Sequence, residues 1–149
     1  MRRYVWPQGR TLLGCSPARR FRPSPNSSED ENTEALARYL RRRGRIVQVQ
    51  PRIPGGRPDL EESVPVPGIA EFKVVCEAKQ QLVSRATLRD VKDQVTRYVK
   101  SGRYAGGQVR IYHDARADLY HELRGFCFLT GVKYGLPFGM EVKVDGRIV

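Results

Sequence analysis

The stretch Glu71-Phe72-Lys73-Val74-Val75-Cys76-Glu77-Ala78-Lys79 alternates in character. In an extended chain Phe72, Val74, Cys76 and Ala78 fall on one face, and Lys73, Val75, Glu77 and Lys79 on the other. A period of two marks a β-strand with one buried face and one charge-bearing face. Glu77 and Lys79, two residues apart, project together from the second face. Upstream, Pro65, Pro67 and Gly68 predict a turn, preceded by a brief strand over 59–62. Folding back at that turn brings Asp59, which follows Pro58 and stands eighteen residues before Glu77, close beside it.

Working outward, Ser28 is a good N-cap, and Glu29, Asp30 and Glu31 suit the positive end of a helix dipole. Leu36, Tyr39 and Leu40 recur at helical spacing, and Gly44 is a stop signal. Ile46, Val47 and Val49 predict a short strand, ended by the Pro- and Gly-rich residues 51–58. The spacing of Leu88, Val91, Val95 and Val99 predicts a long helix over 84–101, capped by Ser84 and stopped at Gly102. A further strand is expected at 109–112, a helix at 115–124 and a buried stretch at 126–129. Asp145-Gly146 is a two-residue hairpin signal between strands at 140–144 and 147–149.

A chain of 149 residues is expected to form one compact domain, here 29–149, behind a basic Arg- and Pro-rich arm at 1–28. That arm holds six arginines and no acid, and either tracks phosphates or packs through Tyr4, Val5 and Trp6. Its prolines, Pro7, Pro17, Pro23 and Pro25, interrupt the amphipathic helix of a mitochondrial transit peptide and count against one. No apolar run approaches the ~20 residues of a membrane span, so a soluble, membrane-free protein is expected. Cys15, Cys76 and Cys127 are widely separated, without a C-x-x-C pair, which points to a reducing, cytoplasmic compartment (a host cell's, for a viral protein). His113 and His121 lack zinc-site spacing and read as structural or surface residues.

Lys and Arg number 27 against 16 Asp and Glu, a formal charge of +11. A field of that sign favours polyanions, nucleic acid above all. Arg41, Arg42, Arg43, Arg85, Arg89 and Arg97 are candidate nucleic-acid contacts, or simply solvated helix faces. Charge alone argues for a partner; Asp59, Glu77 and Lys79 argue for chemistry. Two adjacent carboxylates repel unless a cation neutralises them. Mg²⁺ suits such a pair, because it takes oxygen ligands and keeps waters. Lys79 adds a positive charge beside a developing phosphorane and can orient the attacking water. An ion-paired exposed strand is the other explanation of Glu77 and Lys79.

Pro58-Asp59 with Glu77-Ala78-Lys79 resembles the signature of the PD-(D/E)XK nuclease superfamily, and the order of elements over about 30–112 is similar to that family's core. The resemblance implies an α/β fold, a restriction-endonuclease-like core with a central mixed sheet flanked by helices. It implies a DNA nuclease dependent on Mg²⁺, with Mn²⁺ substituting, and the Ala78 carbonyl as a further metal ligand. Gln94 and Tyr98, four apart on one helix face, resemble the Q-x-x-x-Y motif of RecB-like nucleases, which sets an amide and a phenol beside the metal or a phosphate. The family also implies a first-helix acid reaching the metal through water: Glu34, with Glu31 one turn earlier as the alternative. Size and layout are similar to archaeal Holliday junction resolvases, which implies a homodimer as one arrangement. Three scattered cysteines do not supply the four ligands of an iron–sulfur cluster. The alternative of another class is a non-catalytic, basic nucleic-acid-binding protein.

Overall fold

The Glu71–Lys79 stretch lies in the central strand of a five-stranded mixed sheet. The structure is a computed structural model, which describes residues 20–68 and 70–149. The roles expected of Tyr4, Val5, Trp6 and Cys15 lie outside the described residues.

In chain order the elements are α1 (Glu29–Arg41), β1 (Ile46–Val49), β2 (Leu60–Val66), β3 (Ala70–Lys79), α2 (Arg85–Lys100), β4 (Gly106–Ile111), α3 (Ala117–Lys133) and β5 (Gly139–Val144). The strands are ordered β1-β2-β3-β4-β5 across the sheet. The pairs β1–β2 and β2–β3 are antiparallel, and β3–β4 and β4–β5 are parallel. Helical crossovers on the parallel side follow from the need for a long connection between parallel strands. No helix among the described residues is long and apolar enough to cross a membrane.

The sheet is covered on both faces. Leu36 and Ala37 of α1 pack with Val47, Leu60, Ala78 and Tyr112 on one side. On the other, α2 and α3 bury Val91, Val95, Leu119, Leu123 and Cys127 against Val75, Val109 and Ile111. The face expected to carry exposed charge is therefore enclosed too, and Glu77 is only 3% exposed. Phe21, inside the segment read as an arm, is buried in the α1-side core beside Tyr39 and Tyr112.

Ser28 caps α1 with a full capping box: its side chain accepts from the Glu31 N–H, and Glu31 accepts from the Ser28 N–H. Ser84 caps α2 through the Thr87 N–H. Both helices end close to where the apolar spacing stops.

Three expectations are corrected. β4 starts at Gly106 because its two glycines lie where no side chain fits: a Cβ on Gly107 would stand 2.6 Å from both Val75 Cγ1 and Met140 Sδ. α3 continues to Lys133, and only Cys127 of its 126–129 stretch is fully buried; Phe128 and Leu129 are 66% and 65% exposed because they turn away from the Leu119–Leu123–Cys127 stripe. Asp145-Gly146 makes no hairpin. Asp145 is drawn under the sheet into a bidentate ion pair with Arg110, at 2.8 Å for each nitrogen–oxygen contact. The chain then continues alongside Ala115, whose N–H donates to the Arg147 carbonyl.

Candidate active site at the ends of β2 and β3

The register places the site. Leu60 lies opposite Cys76, so the next antiparallel step sets Asp59 against Glu77 on the face covered by α2. The Ala78 N–H donates to Asp59 Oδ2 at 2.7 Å, which fixes the carboxylate at the strand end. Within a strand the N–H and C=O of one residue point to the same side, so the Ala78 carbonyl also faces the Asp59 side. Asp59, Glu77 and Ala78 are thus brought together.

Burial first, and then the adjacent Asp59 carboxyl by contact and by charge, raises the Glu77 carboxyl to about 9; Lys79 and the Tyr98 hydroxyl pull the other way. At neutral pH Glu77 holds a proton beside Asp59. Its Oε2 is buried without a hydrogen-bond partner. A buried polar atom left unpaired carries its full desolvation cost, so the position is held at the expense of stability.

Tyr98, on α2, is buried with its hydroxyl directed at Glu77, and burial together with that carboxylate raises the phenol's pKa. Loop 51–58 seats the ring: it turns tightly at the Ile53–Gly56 bridge, and a Cβ on Gly56 would stand 3.2 Å from the Tyr98 ring. Gln94, one turn earlier, is partly buried, and its Oε1 also lacks a partner. Lys79 is half-buried and makes no ion pair with any described residue, while its charge acts on both Glu77 and Glu29.

Of the α1 acids, Glu29 is the one joined to the end of β3, where Asp59 and Lys79 act on it. Glu34 is exposed, and Glu31 is occupied in the capping box. The Gln80 N–H donates to Glu29 Oε2 at 3.1 Å, joining the start of α1 to the end of β3. Burial raises the Glu29 pKa against the pull of Gln80 and of Lys79, and the charge of Asp59 adds to the rise. The Gln80 side chain completes this clamp, donating to the Ser27 carbonyl at 2.9 Å and accepting from Asn32 at 3.1 Å. The signal was present in the sequence. Glu29, Thr33, Leu36 and Leu40 share one helical stripe, whereas Glu34 lies two residues from Leu36 and points elsewhere.

Among the described residues no three His, Cys, Asp or Glu side chains gather closely enough to form a metal cluster by themselves. The Asp59 and Glu77 carboxyl groups, the second with an orphaned Oε2, and the Ala78 carbonyl fit a cation that keeps most of its own waters, as Mg²⁺ does.

The candidate arginines divide. Arg41 spends its guanidinium on the Val47 carbonyl, Arg43 stacks on Tyr39, and Arg85 meets Glu122; Arg42, Arg89 and Arg97 are exposed. His121 is exposed, while His113 is half-buried with an unpartnered Nε2. Cys76 and Cys127 are free thiols raised by burial. The chain matches no family model, no curated protein and no solved structure.

Proposed function

We propose that this chain is a metal-dependent DNA nuclease of the PD-(D/E)XK type, hydrolysing phosphodiester bonds. The observation that carries the proposal is the Asp59–Glu77 juxtaposition at adjoining strand ends, with Lys79 on the same face. The order α1-β1-β2-β3-α2-β4 and the strongly basic charge agree with it.

In this reading Asp59, Glu77 and the Ala78 carbonyl would hold Mg²⁺ or Mn²⁺, and Glu29 would support the same ion from the start of α1. When bound, the cation supplies Lewis-acid polarisation of a phosphoryl oxygen and makes water a better nucleophile at neutral pH. Glu77 would have to give up its proton to serve as a ligand, because a ligating carboxylate must be ionised. Lys79 faces the phosphate, opposes the charge that grows on it and orients the attacking water. Tyr98 holds the Glu77 carboxylate in place, and Gln94 offers an amide to the phosphate or to that water. The Gln94–Tyr98 pair favours the RecB-like branch, with recombination, repair or viral DNA processing as its setting.

Cleavage tests the proposal. Circular and linear DNA incubated with Mg²⁺, Mn²⁺ or EDTA should be cut only with the metals, and neither Asp59→Ala nor Glu77→Ala should cut. DNA binding that falls steeply with salt, is indifferent to Mg²⁺ and never leads to cutting would instead mark a non-catalytic binder.

A further inference from the structure

Across the sheet from Glu77, the α1-side face holds a cavity. Cys76 and Ala78 face α1, and the register carries that face over to the other strands: Cys76 stands beside Gln108 and Glu141, and Ala78 beside Arg110 and Lys143. α1 packs over β1 and β3. Beyond it, these rows of β4 and β5 floor a cavity of about 80 Å³, walled by Tyr39 and Leu40 of α1 and by Arg20 and Phe21. A single water needs ~10–15 Å³ of such space, so a group of several heavy atoms, such as a tetrahedral oxyanion, fits.

The charges say what the cavity takes. Arg20, Arg43, Arg45, Arg110 and Lys143 line it. Against them stand Glu62 and Glu141 in the lining, and Asp145 behind Arg110. Arg45 meets Glu62, and Arg110 meets Asp145. Five cations against three acids leave two positive charges without a counterpart. Residues 1–19 and 69, outside the described ones, contain no Asp or Glu, so their side chains supply no balancing acid.

Two of the cations are placed to meet a ligand. Lys143 is half-buried and makes no hydrogen bond or ion pair among the described residues. Burial lowers its pKa, and the charges of Arg110 and Arg20 lower it further against the pull of Asp145 and Glu141. Arg110 gives Nε and Nη2 to Asp145 at 2.8 Å each, while Nη1 has only a 3.5 Å contact with Gln108 Oε1. A guanidinium clamped on one edge keeps N–H groups to donate in a fixed direction. An anion that meets it gains charge-assisted hydrogen bonds without first ordering the side chain.

We propose that this cavity binds a phosphate monoester dianion, held by Lys143, Arg20 and the Nη1 edge of Arg110. The excess of two charges matches a dianion, whereas a single carboxylate leaves one cation uncompensated. The site does not rest on the metal chemistry proposed across the sheet. Two kinds of molecule carry this group: a free mononucleotide, and a DNA strand with a phosphorylated end.

Calorimetric titration of the full chain in EDTA at low salt tests the proposal without any cleavage. The probes are inorganic phosphate, a deoxynucleoside monophosphate, and a short single-stranded oligonucleotide with and without a terminal phosphate. Inorganic phosphate should bind saturably. Lys143→Gln and Arg20→Gln should each weaken it by about ten- to a hundred-fold, the range for a lost hydrogen bond to a charged group. Arg20 is exposed, so its variant keeps the test valid where Lys143→Gln disturbs β5. Arg124→Gln removes an equal charge from an exposed position on α3 and should bind as the wild type does. A mononucleotide that binds more tightly than phosphate identifies the small molecule as the source; a terminal phosphate that tightens the oligonucleotide identifies the DNA end. Absence of saturable phosphate binding overturns the proposal. So does binding that survives both substitutions, or that Arg124→Gln weakens equally, since it then reflects net charge alone.

Discussion

Asp59 and Glu77 meet side chain to side chain across the ends of β2 and β3, and burial, with that meeting added, holds the Glu77 carboxyl near 9. A structural role for these residues gives no reason to bury two carboxylates together; a site that gains a cation does.

The raised Glu77 value fixes a pH dependence. Below 4.5, the ordinary value, folded and unfolded chains both carry the proton, and the full stability is present. Between 4.5 and about 9 only the unfolded chain releases it, so stability falls as pH rises through that window. Glu77→Gln removes this loss. In EDTA at alkaline pH it should stabilise the fold by about 1–3 kcal/mol, roughly 3–10 °C in Tm, with a smaller gain at acid pH. Thermal melts across pH check the sign.

Glu29→Ala should lower cleavage by about ten- to a hundred-fold, the usual range for a residue supporting a metal site, and Glu34→Ala should leave it unchanged. Steady-state rates of the two variants at saturating Mg²⁺ make the comparison. Equal rates would remove Glu29 from the site.

Lys79→Ala should lose cleavage by about 10²–10³-fold while DNA affinity at low salt stays within about two-fold, because many other cations contact phosphates. Parallel loss of both in filter-binding and cleavage assays would assign Lys79 to binding.

Asp145→Ala leaves Arg110 buried without its partner and should cost about 3–5 kcal/mol in urea denaturation. Replacing both residues by apolar ones should cost much less. The effect belongs to folding, so the metal requirement of the folded fraction should not change.

What the sequence made legible was local. The period-two stretch at 71–79 and the stripe of α2 are patterns within single elements, and the structure keeps both nearly to the residue. What it hid depended on partners far along the chain. Asp145-Gly146 carries a strong turn signal, but a buried arginine 35 residues away overrides it. Gly106 and Gly107 look like strand breakers until Phe138, against the first, and Val75 and Met140, against the second, are seen to need the space. Glu29 was masked by its own neighbourhood, since acids in a first turn already satisfy the helix dipole. The run at 126–129 has no periodicity, so its apolar character gave no hint of which side would face outward.

Calorimetric titration of Mn²⁺ or Mg²⁺ in two buffers of different ionisation heat tests the central claim most directly. Wild-type chain should bind a divalent ion with release of close to one proton at neutral pH, and affinity should rise from about pH 6 to about pH 8 as Glu77 ionises more readily; Asp59→Ala and Glu77→Ala should each abolish the binding. Binding that releases no proton and survives both substitutions would contradict the account.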